Sequence, residues 1–451
     1  MQFQITQELI DNVELLIEEK NDAQLKHLLD EIHFADLAEI VDELNLYEAT
    51  YLIKLLDSEK TSETLMELEE DVRERILDKL SAKEIAEELE EMDTDDAADI
   101  ISELPEDRVE NVIAQIEDNQ HADNIVELLA YGEDTAGGLM AKELVRVKET
   151  WTVAGCVREM RRQAENVTRV HSIYVIDKEG KLKGRLSLKD LLTASTKTHI
   201  SEVYIPKVDY VTVDTEGDEV ARIMQKYDLE AIPVIDNNGV LVGRITIDDI
   251  VDYIKEEAEK DYQMAAGISQ DVEADDSIWQ LTRARLPWLI LGLLGGLGSV
   301  FIMESFEEIM VNPAYRTLFF YTPLIAAMAG NVGVQSSAII VQGLANNNVK
   351  GSILQRLLKE IGLSLINGLA LAAIIIIFGL IMGQEFTFSI TIALALMSVI
   401  IVAALVGTFV PIILDKRGID PAIATGPFIT TSNDIFGIFL FFYIAKMMLG
   451  F

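Results

Sequence analysis

The sequence predicts a multidomain chain: an acidic all-α superhelical N-terminal domain, an α/β module built from a tandem repeat, an acidic connecting helix and an all-α membrane domain of five helices. Three observations predict it. Charge divides the chain, with 68 acidic and 30 basic side chains from Met1 to Leu286, but 8 and 7 from Pro287 onward. A direct repeat stands in the middle, and five long apolar stretches fill the end. The expected parts are 1–135, 136–199, 200–255, 256–282 and 283–451.

Residues 1 to about 130 carry leucine and isoleucine at three- and four-residue spacing among Glu, Asp and Lys, the pattern of amphipathic helices. Glycine is absent before Gly132, and Pro105 is the only proline before Pro206. DLAEIVDEL (36–44), EIAEELEEM (84–92) and DAADIISEL (96–104) echo one another. Repeated short amphipathic helices of this kind suggest a superhelical stack.

From residue 138 to about 255, valine-rich strands and Gly turns take over. SIYVIDKEGKLKGRLSLKD (172–190) and AIPVIDNNGVLVGRITIDD (231–249) match at 9 of 19 positions with an offset of 59 residues. Each copy reads strand, Asp-x-x-Gly turn, strand, then a helix start near Ser187 or Thr246. With the endings Gly184, Ser187, Asp190 and Gly243, Thr246, Asp249, the repeat resembles a tandem CBS-domain pair. A very acidic helical stretch from Asp248 to about Gln270 then leads toward the apolar half.

The spans read as Leu286–Met303, Thr317–Val349, Ile361–Gly383, Phe386–Leu414 and Pro421–Ala445. Each can cross a core needing roughly 20 helical residues. Arg283 and Arg285 precede the first; Lys350, Arg356 and Lys359 follow the second; Lys416 and Arg417 follow the fourth. The opposite loops hold one base, Arg316. The positive-inside rule then places the N-terminal half in the cytoplasm and the C-terminus outside, in a bacterial-type inner membrane. A single cysteine, Cys156, excludes an intrachain disulfide framework and suits a reducing compartment. The N-terminus lacks the basic and apolar regions of a signal peptide.

A net charge of −39 argues against nucleic acid as a partner and favours cations. Asp434 is the one charge in the fifth span, where a central carboxylate costs about 2.5–3.5 kcal/mol on insertion scales. Thr430 lies one turn before it on the same face. In the second span, AGNVGVQSS (329–337) sets Asn331 and Gln335 four residues apart, with Gly330 and Gly333 permitting close helix approach. No histidine follows His199 and no cysteine follows Cys156, so the membrane half offers oxygen ligands apart from methionine sulfur. Hard cations prefer such ligands, and magnesium is commonly held by one or two carboxylates plus waters. One Asp434 per chain half-neutralises a divalent ion; a twofold dimer around the path would present two.

The order of parts, with EDTAGGLM (133–140), GNVGVQ in the second span and a late TSND, resembles the MgtE magnesium channels over essentially the whole chain. That resemblance implies a homodimer conducting Mg2+ along its twofold axis, with Asp434 as the pore aspartate. Asn331 and Gln335 match the family's second-span motif. Asp420 matches an ion-contacting acid at the cytoplasmic edge of the fifth span. It further implies regulatory Mg2+ bound among Asp95 and Asp99 of the helical domain, Asp218, Asp228 and Asp249 of the CBS pair, and Asp252, Glu257 and Asp261 of the connecting "plug" helix. Lys260 departs from the pattern, standing where an acid is expected. Asp190 and Asp249 sit where a CBS pair contacts a nucleotide ribose, which brings in ATP as a modulator.

Clustered carboxylates on facing surfaces repel when cations are scarce and are bridged when divalent ions bind, so cytoplasmic Mg2+ would close its own entry route if it binds the closed state more tightly. Two other readings stay open: a coupled secondary carrier with Asp434 titrating, and a membrane sensor whose CBS pair reads a nucleotide. No GxxxxGK[ST] phosphate loop occurs, which argues against a nucleotide-driven pump, and no nucleophile–base pair suggests an enzyme.

Overall fold

The computed structural model describes residues 5–450 apart from 165–166, 168, 270–271, 273–275, 312–314, 346–348 and 350. Lys350, one of the basic residues that orient the spans, is therefore outside the described residues. The chain forms two compact units, Met1–Lys255 and Glu256–Phe451.

The first unit begins with ten helices: α1 (Gln7–Glu18), α2 (Asp22–Leu29), α3 (Phe34–Asp42), α4 (Leu46–Ile53), α5 (Ser58–Met66), α6 (Glu70–Leu77), α7 (Ala82–Leu89), α8 (Thr94–Glu103), α9 (Glu106–Ile113) and α10 (Asn119–Leu128). Each is about two or three turns, too short to persist alone in water. Two supports hold them. Side chains cap their starts: Asn45 with Glu48, and Ser81 with Glu84, form reciprocal capping boxes. Basic side chains about thirty positions later then satisfy carbonyls at helix ends. Lys60 Nζ donates to Leu29 O (3.1 Å), Arg108 Nη2 to Leu77 O (3.1 Å), and His121 Nε2 lies 2.9 Å from Leu89 O. The ends of α2, α6 and α7 are each met in this way by the helix three places further on.

The repeat folds as two three-stranded sheets. In the first, β1 (Val145–Lys148) runs parallel to β2 (Ile173–Ile176), which pairs antiparallel with β3 (Leu182–Leu186); α11 (Val153–Gln163) and α12 (Leu188–Thr193) flank it. In the second, β4 (Val211–Thr212), β5 (Ala231–Ile235) and β6 (Leu241–Thr246) repeat the order, with α13 (Gly217–Tyr227) between β4 and β5. Arg185 on β3 exchanges backbone bonds with Ile205, and Arg244 on β6 with Ala141, so equivalent positions of the two copies each hold a crossing segment. One apolar core runs from the helical stack into the second copy through Ala136 and Met140, whereas the first copy closes its own core around Val147, Cys156 and Val175.

α14 (Ile247–Ala266) starts directly after β6, and the division between the units falls within it. In the second unit it ends at Gly267, φ +82°, and the Gln263 side chain holds both the N–H and the C=O of Val272 (3.2 and 3.0 Å). The long helices follow: α15 (Ile278–Ser305), a short α16 (Glu308–Val311), α17 (Thr322–Ala345), α18 (Ile353–Ile381), α19 (Phe386–Asp415) and α20 (Gly426–Leu449). Five of these segments have the length and hydropathy to cross a membrane. α19 is the most buried of them and packs on α17, α18 and α20. The fifth span proves to be two elements, a 3-10 turn at Pro421–Ala424 and then α20, while α18 begins eight residues before the apolar stretch read from sequence.

Candidate functional site

Two groups of polar residues stand out, one in each unit. In the first unit, the start of α8 carries Asp93, Asp95 and Asp96 in four positions, where the helix dipole favours negative charge. Thr94 between them is fully buried and anchors the turn: its N–H and hydroxyl both donate to Glu143 Oε2 (3.1 and 2.8 Å), and its hydroxyl accepts the N–H of Lys142 (2.9 Å). Asp93, Asp95 and Glu143 thereby each present an oxygen within 4.8 Å of the others, a spacing one cation can bridge. Arg244, 5 % exposed, reaches in from β6; its Nη2 donates to Asp93 Oδ2 at 3.1 Å and its Nε to the Glu143 carbonyl. On the far wall Asp249 accepts the N–H and hydroxyl of Thr246 at one oxygen, Oδ2 (2.9 and 2.6 Å).

These groups line a cavity of about 230 Å³ whose walls hold eight carboxylates (Glu63, Glu67, Glu91, Asp93, Asp95, Asp96, Asp248 and Asp249) against Arg169, Arg244 and His171. The imbalance shows in the acidities. Burial, and then Asp96 and Asp249 nearby, push the Asp95 carboxyl well above its usual range; burial and then Asp249 and Asp93 do the same to Asp96. Asp249 is raised by burial against the lowering effect of Thr246. A divalent cation would pay most of this electrostatic cost, because it replaces mutual repulsion with shared attraction. His171 is held below its ordinary pKa by burial and by Arg244.

Not every acid singled out in the sequence joins this group. Asp99 is one turn further along α8 and exposed; Asp218 at the start of α13, Asp228 at its left-handed C-cap (φ +50°) and Asp252 on α14 are exposed too. Asp252 is nonetheless raised by burial and then Asp249. Asp190 accepts the Ser187 hydroxyl (2.6 Å), matching Thr246 with Asp249 in the other copy. In the second unit Asp261 is exposed, and Lys260 forms an ion pair with Glu257 at 3.0 Å, so the departure at 260 directly engages one of the expected ligands. Asp93, Asp96, Glu143 and Arg244 were missed in the sequence. The signal for Arg244 was present, since the repeat places Arg185 and Arg244 in one slot, but Arg185 is exposed and Arg244 buried.

The second group surrounds α20. Asp434 is partly buried, and its Oδ1 has no hydrogen-bond partner among the described residues. It faces Gly330 of α17, where an added β-carbon would stand 3.5 Å from that oxygen and 2.9 Å from Thr430 Cγ2. Thr430 returns its hydroxyl to Gly426 O (2.9 Å). Asn433, 1 % exposed and without a partner for either amide atom among the described residues, lies against Gly333. Asn331 and Gln335 occupy an exposed face of α17, rather than the face in contact with α20. Asp420 is exposed and caps the 3-10 turn by accepting Ala422 N–H at 2.8 Å.

Three family models match four stretches: the MgtE intracellular N domain at 32–134, the CBS domain at 136–197 and 200–256, and the divalent cation transporter MgtE at 322–444. The magnesium transporter MgtE of Thermus thermophilus is 36% identical over 328 residues, 72% of each chain. This chain belongs to the MgtE family. The MgtE of Bacillus subtilis is 34% identical over 70% of each chain. The crystal structure of the cytosolic domain of the Mg2+ channel MgtE in complex with ATP superposes with a TM-score of 0.52 at 36% identity, covering 54% of this chain and 99% of that one. Matches to inosine-5'-monophosphate dehydrogenases are confined to the CBS region; the relatives that span most of the chain are magnesium transporters, not enzymes. The MgtE fold of helical N domain, CBS pair and five membrane-length helices is thus the fold of this chain.

Proposed function

We propose that this MgtE protein is a homodimeric Mg2+ channel that carries the ion down its gradient and is closed from the cytoplasm by Mg2+ itself. Asp434 carries the reading: a carboxylate with an unpartnered oxygen inside a bundle of membrane helices needs a counter-charge, and a passing cation supplies one. Two Asp434 from two copies would neutralise one divalent ion. Asn331 and Gln335 present an exposed amide face on α17, which a second copy covers in this reading. Thr430 and Asp420 line the same route in this reading. The parts act as the divisions 1–135, 136–199, 200–255, 256–282 and 283–451, with the soluble half in the cytoplasm and the C-terminus across the inner membrane.

Closure by Mg2+ is supported by the acidic cavity, with Asp95 and Asp249 as ligands, supplemented by Asp99, Asp218, Asp228, Asp252, Glu257 and Asp261 on faces that a second element or copy can approach. A mechanical link is available within the second unit. A β-carbon on Gly426 would overlap Ala265 O, and one on Gly267 would sit 2.5 Å from Pro427 Cγ, so the end of α14 rests on the start of α20. A shift of α14 therefore reaches the helix carrying Asp434 without passing through α15. ATP as a modulator, held near Asp190 and Asp249, is supported by the relative crystallised with ATP.

Magnesium flux into liposomes tests the core of this. Wild-type protein is expected to conduct and to slow as Mg2+ rises on the cytoplasmic face, and Asp434→Ala to lose flux. Undiminished flux in Asp434→Ala would remove that residue from the path, and wild-type uptake that requires a proton or sodium gradient would favour a coupled carrier.

A further inference from the structure

We propose that Glu360 is a positioning residue for the cation path, fixing α17 through its hydrogen bond with Ser336. The inference rests on Asp434 lying in that path. The Ser336 hydroxyl donates to Glu360 Oε1 at 2.6 Å, the short distance expected for a charged acceptor. Ser336 is 6 % exposed and lies nine residues before the end of α17 at Ala345, about 13 Å in at 1.5 Å per residue. Glu360 itself is partly buried in the eighth position of α18, and its side chain brings a carboxylate against this buried hydroxyl.

The bond crosses a gap that the packing leaves for it. α18 packs chiefly on α19, not on α17. Between them Gly407 of α19 presses on Gly333 O, and an added β-carbon there would stand 3.1 Å from Ser336 Cβ. Absence of a side chain at 407 brings Ser336 within reach of the long Glu360 arm. On the opposite side Gly333 receives Asn433, the neighbour of Asp434. Glu360 thus ties down the stretch of α17 that holds Asn331 and Gln335 on one face and seats the Asp434 turn on another. Its Oε1 is engaged as an acceptor, whereas Asp434 Oδ1 has no partner among the described residues, which separates a positioning acid from an ion-contacting one.

The test is Mg2+ flux, and its preference over Ca2+, in liposomes containing full-length Ser336→Ala, Glu360→Ala, Glu360→Gln and the Ser336→Ala/Glu360→Ala double variant. Both alanine variants are expected to lose at least threefold in flux and to relax the preference. The double variant should be no worse than either single, as for two halves of one interaction. Glu360→Gln keeps an oxygen acceptor and should retain most of the flux and the preference. The proposal is overturned if Glu360→Gln fails as Glu360→Ala does while Ser336→Ala behaves as wild type, since charge and not the bond would then matter. It is equally overturned if both alanine variants conduct and select normally. Should Glu360→Ala not fold, Ser336→Ala and Glu360→Gln, which alter one atom or group each, decide the question. Asp434→Ala, run alongside, separates failure of the pore reading from failure of this one.

Discussion

Arg244 gives the sharpest test of the acidic cavity. Its side chain is 6 % exposed and meets Asp93, 25 % exposed, at 3.1 Å. A charge pair about 4 Å apart is worth about 4 kcal/mol at an effective dielectric of 20, and removing one partner of a buried pair costs about 3–5 kcal/mol because the other charge is stranded. With Asp93 partly solvated, the lower end applies, so Arg244→Gln should destabilise the Met1–Lys255 unit by about 3 kcal/mol without divalent ions. The variant leaves the eight wall carboxylates with less compensation, so Mg2+ should bind it more tightly. Bound ion adds about 2.7 kcal/mol at one hundred times Kd, and the increment should be larger in Arg244→Gln than in wild type at the same Mg2+. Urea unfolding of the unit, with chelator and across a Mg2+ series, measures both quantities. A loss below about 1 kcal/mol, or a Mg2+ increment no greater than that of wild type, would show that Arg244 does not balance a cation-binding cluster.

Other expectations follow from single residues. Burial raises the Glu88 carboxyl from 4.5 to about 7, and burial with Glu69 and Asp71 raises Asp42 from 3.8 to about 6. A raised native carboxyl binds its proton more tightly folded than unfolded, so helical-domain stability should fall as pH rises from about 4.5 to 7; Glu88→Gln should flatten that slope in thermal melts, and an unchanged slope would contradict the assignment. Lys260→Glu removes the ion pair with Glu257 and introduces an acid. It should lower the cytoplasmic Mg2+ needed for half-maximal closure severalfold in patch recordings, and an unaltered midpoint would mean that the pair does not weaken sensing. Gly333→Ala places a methyl group into Asn433. Overpacking of this kind costs about 1–3 kcal/mol, so a lower melting temperature of the detergent-solubilised protein together with reduced flux is expected.

How much of this was legible depends on whether the signal is local. The charge division, the 59-residue repeat and the apolar spans are properties of contiguous sequence, and the fold follows them. Asp434 was legible because one charge in an apolar helix is conspicuous. The cavity was only half legible. Asp95 and Asp249 entered through the family resemblance, but Glu143 joins Thr94 across 49 residues and Arg244 joins Asp93 across 151, and no periodicity encodes such meetings. Glu360 was hidden for a different reason. The first turns of α18, ILQRLLKE, are amphipathic, so an apolar window starts at Ile361 and leaves the acid outside the span it belongs to.

The packing of α20 also limits how a gate can work. Thr431 and Ile435 sit against Gly295 and Gly298 of α15, while Thr430 and Asn433 sit against Gly330 and Gly333 of α17. With backbones in such close approach on two sides, rotation of the middle of α20 would drive side chains into neighbouring main chain, and packed helices of this kind shift as units rather than deform. The start of the helix also meets a main chain, at Ala265, but there Gly426 has φ +49° and Thr425 provides no side-chain cap, and glycine gives the backbone a freedom of direction that the middle of the helix lacks. That is where the end of α14 rests. In the proposed channel, closure by Mg2+ through the connecting helix should send the displacement into α20 at Gly426 and move the Asp434 turn as a rigid piece. Gly426→Ala, which disfavours the left-handed conformation and sets a methyl group against Ala265 O, should therefore alter gating while leaving the preference among cations intact; a changed preference with unchanged gating would place the moving part at the aspartate instead.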